Sequence, residues 1–354
     1  MTQQHYRIVA LPGRGMESEI LGASLRVLQA IAAAEKFTVT VDYSADDSGA
    51  DDPGADGCGA GENCSEVAGS GKGKAEVFEE TLQLCRECSG IVCTRLEPDM
   101  RRAICQHFDL FVDLYSARSS PRSTVASPLK PDRLSGVDLL FVREMRSRTT
   151  SGKSGRGVDN KGTFGFQTIR LEDAEVRRIA RLALESARDR RQHLTIAHQD
   201  QLLTRLPWTR LIQAEAEAFP MVASELIHVD YLAMQIMLRP QHFDVILTCH
   251  LFGGITNNLS RAIVGSDELI GCAHVGSEQF GLYEMPHGVE DAADPGTAVL
   301  SLLSSMSLML IQWGEGQAAQ RLKSAQSRFL VQAQATCSLD ELVTGLTQAI
   351  ESTQ

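Results

Sequence analysis

Apart from Arg7, apolar residues fill Tyr6 to Leu11, stop at Pro12-Gly13-Arg14-Gly15, and recur at Ile20, Leu21, Leu25, Val27, Leu28 and Ile31. A short apolar run ended by glycine predicts a buried strand, and the three-and-four spacing after it predicts a helix. Phe37 to Val41 predicts a second strand, so the chain opens as a strand–helix–strand unit with parallel strands. Glu79 to Leu84 reads as a helix ending near Ser89-Gly90, and Ile91-Val92-Cys93 as a buried strand. Val137 to Val142 predicts a strand. Ala174 to Arg190 predicts a basic-faced helix with Val176, Ile179, Leu182 and Leu184 among its apolar positions, and Leu194 to Ala197 another strand. Phe243 to Thr248 is a strand running into His250-Leu251-Phe252-Gly253-Gly254, Ala298 to Gln312 an apolar helix, and about Ser338 to Ile350 a last helix. The class is α/β.

Residues 44–73 interrupt this pattern. They hold five Asp, two Glu and one Lys, which is −6 of the formal net charge of −11, and eight of the 29 glycines. So little apolar surface cannot offset the entropy of ordering, and the stretch is expected to be a flexible surface insertion. Its partial repeat, Ala45-Asp46-Asp47-Ser48-Gly49 and Ala50-Asp51-Asp52-Pro53-Gly54, raises calcium as an idea. It lacks the ligand spacing of a defined loop, which favours a solvated linker.

The remaining charge is −5, an ordinary surface for a chain of 354 residues with 43% hydrophobic residues. That length suits one two-lobed unit or two domains. The acidic balance argues against nucleic acid, because phosphate neutralisation needs a basic face. Ala298 to Trp313 is short for a membrane span and carries four serines, and the N-terminus lacks the plan of a signal peptide. Nine cysteines at irregular spacings suit reduced thiols and a cytoplasmic protein. Cys85 and Cys88 form a CxxC with Cys93 nearby, but a single pair inside a helix-then-strand pattern favours packing over zinc or redox chemistry.

In chain order, a set of motifs resembles the metal-dependent β-decarboxylating dehydrogenases, the family of isopropylmalate, isocitrate and tartrate dehydrogenases. Leu11-Pro12-Gly13-Arg14-Gly15-Met16-Glu17-Ser18-Glu19 resembles the opening LPGDGIGPE. Ser127-Pro128-Leu129-Lys130 and Val137-Asp138-Leu139-Leu140-Phe141-Val142-Arg143-Glu144 resemble SPLK and VDLLIVRE. The helix from Ala174, the segment Phe243 to Gly253 (FDVIVTxNLFGD) and Phe280-Gly281-Leu282-Tyr283-Glu284 with His287-Gly288 (FGLYEPVHG) complete the match. The resemblance spans nearly the whole chain outside the insertion and is nearest to the isopropylmalate branch. It implies a two-lobed isopropylmalate dehydrogenase-like fold with a mixed central sheet and helices on both faces. Residues 1–109 and 265–354 would form the first, nucleotide-side lobe, and 110–264 the second, which carries dimerisation and substrate. It also implies a homodimer whose clefts borrow residues across the interface.

The family reaction oxidises a 2-hydroxy acid with NAD and then releases CO2. It needs Mg2+ or Mn2+ held by clustered carboxylates, arginines on the substrate carboxylates, a lysine proton relay and a tyrosine proton donor. By resemblance, Asp230 retains one metal position, whereas Gly254 and Asn258 stand where the other two aspartates belong. Gln199 occupies the lysine position and Leu171 the tyrosine position. Cys105 and Tyr115 replace the first two arginines, Arg143 keeps the third, and Arg101, Arg102 or Arg118 are candidate substitutes. On the nucleotide side Gly13, Gly15, His287 and Gly288 remain, but Arg14 replaces an acid and Ala298 the adenine-facing Asn.

One missing general acid or base costs on the order of 10²–10⁴ in rate. The expectation is therefore a degenerate member without the family's NAD and metal chemistry, acting as a binding or regulatory homologue for a small carboxylate. Three alternatives stand beside it. One is an active dehydrogenase on a 2-hydroxy acid such as 3-isopropylmalate. Another is a heteromer with an active paralogue. The third is a repurposed cleft gathering Cys105, Tyr115, Arg143, His198, Gln199, Asp230, Cys249, His250 and Asn258, in which Cys and His with the one Asp hold a softer metal such as zinc or form a thiol–imidazole pair.

Overall fold

The computed structural model describes residues 4–44, 74–145, 154–199, 206–286, 289, 292–332 and 337–352. The expected flexible insertion lies, from residue 45 onward, outside the described residues.

The elements run β1 (His5–Leu11), α1 (Met16–Glu35), β2 (Thr38–Tyr43), α2 (Lys74–Cys85), β3 (Gly90–Cys93), α3 (Pro98–His107) and β4 (Val112–Arg118). Two short helices, α4 (Ser123–Ala126) and α5 (Pro131–Leu134), precede β5 (Asp138–Glu144). The hairpin β6 (Ser154–Asp159) and β7 (Gly162–Gln167) stands apart, followed by α6 (Asp173–Arg188), β8 (His193–His198), α7 (Trp208–Ala216), β9 (Ala223–His228) and α8 (Val229–Leu238). A 3-10 turn (Pro240–His242) leads to β10 (Val245–Thr248), α9 (His250–Val264), β11 (Ile270–Val275), β12 (Gly281–Glu284), α10 (Pro295–Gln312), α11 (Gly316–Gln332) and α12 (Leu339–Glu351).

Ten strands form one sheet in the order β2-β1-β3-β12-β11-β4-β5-β10-β8-β9. It is mixed: β4 pairs antiparallel with both β11 and β5, and β11 antiparallel with β12, while the outer strands are parallel. Strands from the ends of the chain fill one half and strands from the middle fill the other. They meet at β11 and β4, the lengthwise join of the molecule.

The two faces of this sheet differ. On one, a single hydrophobic cluster runs across both halves, from Ile8 and Val92 through Leu114 and Val142 to Leu247. On the other the core is split. Val9, Ile91, Ile104 and Leu282 pack under one half, and Ala117, Phe141, Ile246 and Ile263 under the other. The gap between them falls on β11, β4 and β5, and polar side chains fill it.

The apolar stretch read near Ala298 is α10, and almost all of it is buried. It is the one described helix long and apolar enough to cross a membrane, and its serines explain its place in a core. Ser301 donates to Ile270 O at 2.8 Å, and Ser305 donates to Glu284 O at 2.7 Å while accepting from Cys272 N. Gly271 allows this approach, because a Cβ there would stand 2.6 Å from the Ser304 backbone.

Candidate functional site

The polar row in the gap follows from strand register. Across β11 and β4 His274 faces Asp113, across β4 and β5 Asp113 faces Arg143, and across β5 and β10 Arg143 faces Thr248. His274 Nδ1 donates to Asp113 Oδ1 at 2.6 Å and its Nε2 to Glu284 Oε1 at 2.9 Å. Arg143 Nη1 lies 3.6 Å from Asp113 Oδ2, and Arg101 reaches both oxygens of Glu284, at 2.6 and 3.1 Å. The result is a buried chain of alternating charge, Arg101–Glu284–His274–Asp113–Arg143. Burial alone would push the His274 imidazolium down, but Asp113 and Glu284 outweigh it and raise its pKa to about 10. Burial likewise works against the Asp113 carboxylate, yet His274 and Arg143 hold it below its usual range. Charges taken out of water persist only when paired in this way.

Arg143 also contacts the start of α9. Its Nη2 is 3.4 Å from His250 Nδ1 and donates to His250 O at 3.5 Å. Its aliphatic stem fills the space above Gly253, where a Cβ would meet Arg143 Cγ at 2.4 Å and Thr248 Oγ1 at 2.7 Å. At Gly254 a Cβ would sit 3.9 Å from the guanidinium. Beside it Glu144 accepts from His250 N at 3.3 Å, at the positive end of the helix, yet burial raises its pKa to about 7. Arg143 Nε, Glu144 Oε1 and Thr248 Oγ1 are buried with no hydrogen-bond partner in the protein. Buried polar atoms are rarely left so, and Arg143 Nε and Thr248 Oγ1, on residues that face each other across β5 and β10, mark a place where a ligand would be held.

The residues singled out in the sequence scatter around this centre. Arg143 is in it. Cys105 is buried in α3, its thiol pushed up to about 12 mainly by burial. Tyr115 packs edge-on against Phe141 in the core, its hydroxyl without a partner and its pKa raised by burial. Leu171 is buried in the large cluster ahead of α6. Gln199 follows β8 and is half-buried, and Asn258 is exposed on α9. Asp230 opens α8 with 79% of its side chain exposed and its carboxylate 3.4 Å from His228 Nδ1. His198 meets His228 edge-on at 5.6 Å. Cys249 caps α9 with its thiol buried in the core and raised to about 11, chiefly by burial, which is unlike a reactive thiolate paired to His250. Of the candidate substitute arginines, Arg101 joins the chain of charges, Arg102 pairs with Asp99 at 3.2 Å on the surface, and Arg118 bonds Gln326 on the other face. His287 and Gly288 lie outside the described residues.

Sequence reasoning missed the roles of His274, Asp113, Glu284 and Glu144. A signal was present: His274 and Glu284 each interrupt a short apolar strand, and a charged residue in a buried strand demands a partner.

The residues present do not fit the family's hard divalent metal. Gly254 and Asn258 bring no carboxylate, and a guanidinium stands beside Gly254. Among the described residues no metal-sized group of His, Cys, Asp and Glu ligand atoms forms in this cleft. The nucleotide turn fits poorly too. A Cβ at Gly13 would be 1.8 Å from Glu17 Oε2, so a carboxylate covers the turn where a phosphate would need N–H donors. Gly15 adopts φ +55° at the start of α1. A cavity of about 1250 Å³ lies instead on the opposite face, between Leu114, Leu140, Arg177, Arg181, Leu308 and Lys323.

The family model described as isocitrate/isopropylmalate dehydrogenase matches residues 72–350. A 3-isopropylmalate dehydrogenase of Zymomonas mobilis is 32% identical over 352 residues, covering 94% of this chain and 95% of the relative. One from Pseudoalteromonas translucida is 29% identical, covering 92% and 91%. Among solved structures, the TT0538 protein from Thermus thermophilus superposes with a TM-score of 0.70 at 20% identity, over 98% of this chain and 68% of that one. Motifs, sheet order and these matches together place the chain in the isocitrate/isopropylmalate dehydrogenase family.

Proposed function

We propose that this protein has given up NAD- and metal-dependent oxidative decarboxylation and serves as a carboxylate-binding or regulatory homologue. The observation that carries the reading is the Arg143 guanidinium beside Gly254, in place of an aspartate cluster. Arg143, with an unpartnered buried Nε, offers a charge-assisted donor to a small carboxylate without any metal. Gln199 cannot relay a proton, and Leu171 cannot donate one.

The test is a thermal-shift panel with an activity assay. A small dicarboxylate is expected to raise the melting temperature without metal, and Arg143→Ala to abolish the shift. NAD and Mn2+ are expected to give none. Turnover of 3-isopropylmalate or a related acid with NAD and Mg2+ at ordinary enzymatic rates would overturn the proposal.

The second reading is an active NAD-dependent oxidoreductase on such a 2-hydroxy acid. The 32% identity to a 3-isopropylmalate dehydrogenase along 94% of the chain favours it. The same assay separates the two.

We further assign a dimer, formed with a second copy or with an active paralogue. Tyr231, Met234 and Leu238 make an exposed apolar stripe on α8 beside Asp230, and Phe164 and Phe166 share one exposed face of the hairpin β6–β7. Exposed apolar surface of this kind suits a partner. The described cysteines form no disulfide, which suits the cytoplasm.

A further inference from the structure

Away from the cleft, on the outer strands of the sheet, three ligand-type side chains converge from three elements. His193 begins β8, Glu225 lies within β9, and His242 ends the 3-10 turn before β10. Because β8 and β9 are parallel with Thr195 opposite Glu225, the side chains of His193, Thr195 and Glu225 share one face. One ligand atom from each of His193, Glu225 and His242 lies within 4.8 Å of the others. His242 Nε2 is 3.2 Å and His193 Nε2 3.6 Å from the same oxygen, Glu225 Oε1. The two imidazoles meet at 5.2 Å between centroids, inclined by 67°.

We propose that His193, Glu225 and His242 bind a first-row transition-metal ion, foremost Zn2+. Two imidazoles and one carboxylate form a three-ligand set that zinc accepts, with the fourth position left to water. Bonds of about 2.0–2.1 Å at a tetrahedral centre place neighbouring ligand atoms roughly 3.3 Å apart. The two edges through Glu225, 3.2 and 3.6 Å, bracket that spacing, and the edge between the two imidazoles lies within 4.8 Å. Mg2+ and Ca2+ prefer oxygen donors and are poorly served here.

The surroundings support the same occupant. Thr195 Oγ1 donates to Glu225 Oε1 at 2.9 Å and orients the carboxylate from the buried side. His242 is the most exposed of the three and leaves the open coordination position towards water. The neighbouring cation, Arg191, is engaged by Asp244 and by the carbonyls of Gln241 and Phe243. Filling the site would staple the outermost strand, β9, to β8 and to the turn that feeds β10.

The experiment uses the full chain, stripped of metal with a chelator and titrated with Zn2+ against a chromophoric competitor. One equivalent is expected to bind, with affinity reduced at least about tenfold in His242→Ala and in the isosteric Glu225→Gln. Zn2+ should raise the melting temperature of the parent protein and of neither variant. Bound Co2+ should show ligand-field bands without a sulfur-to-cobalt charge-transfer band, which excludes the cysteines as ligands. Absence of stoichiometric binding, or binding unchanged in both folded variants, overturns the proposal and leaves the cluster a hydrogen-bonded ion pair.

Discussion

His274 Nδ1 stands 2.6 Å from Asp113 Oδ1, and the two residues face each other on β11 and β4, where the halves of the sheet meet. One imidazolium thus lies between Asp113 on one half and Glu284 on the other. Its removal leaves each carboxylate only its arginine, Arg143 for Asp113 and Arg101 for Glu284. We expect His274→Gln to lose about 1.5–3 kcal/mol of stability, the loss of hydrogen bonds between charged groups, measured by urea unfolding at neutral pH. A loss below about 1 kcal/mol would mean that the row is solvated.

The same group sets an alkaline limit. Its pKa is raised to about 10 in the fold, against about 6.5 in the unfolded chain. Its contribution is therefore complete below about 6.5 and is lost as pH rises towards about 10. Asp113, held low, contributes above its unfolded value and loses that contribution as pH falls through the depressed one. Stability measured from pH 6 to 10 should decline in the parent protein, with a flatter curve in His274→Gln.

Glu144 carries the opposite sign for a carboxyl group. Burial raises its pKa from 4.5 to about 7, so the folded state holds the extra proton in that window, and stability from this group falls as pH rises through it. Glu144→Gln keeps the shape and removes the charge. It should gain about 1–3 kcal/mol at pH 8 relative to the parent and nothing at pH 4, read from paired denaturant curves.

Two adjacent glycines on α9 should respond differently to alanine. Gly253→Ala drives a methyl into the Arg143 stem and should cost about 1–3 kcal/mol. Gly254→Ala meets only ordinary contacts and should be neutral or gain up to about 1 kcal/mol from helix propensity. Equal effects at the two sites would show that Arg143 leaves Gly253 freely.

Met234 lies three residues after Tyr231 and four before Leu238, one stripe of α8 open to water in the single chain. Met234→Glu should leave the fold intact and convert a dimer to a monomer in native mass spectrometry. A monomeric parent protein would sink the interface assignment.

Strands with unbroken apolar runs were legible from sequence because parallel strands are buried on both faces, as at Gly90–Cys93, where every residue is buried. The edges were less so: β9, from Ala223, mixes exposed and buried positions and carries no clear period. The readings at Gly254, Asn258, Leu171 and Gln199 rest on the motifs that flank them. The chain of charges could not, because His274, Asp113 and Glu284 lie far apart in sequence and become neighbours only through register.

The order of strands also bears on how the protein is made. β12 and β11 stand between β3 and β4, although the chain passes directly from β3 through α3 to β4. A nascent chain emerging from the ribosome therefore cannot join its first three strands to its middle ones until residues 270–284 have been synthesised, nor cover them before α10 follows. Until then β3 and β4 expose unpaired edges, the surfaces most open to wrong pairing. A truncation before residue 265 should accordingly yield aggregation-prone chains and not a stable half-molecule.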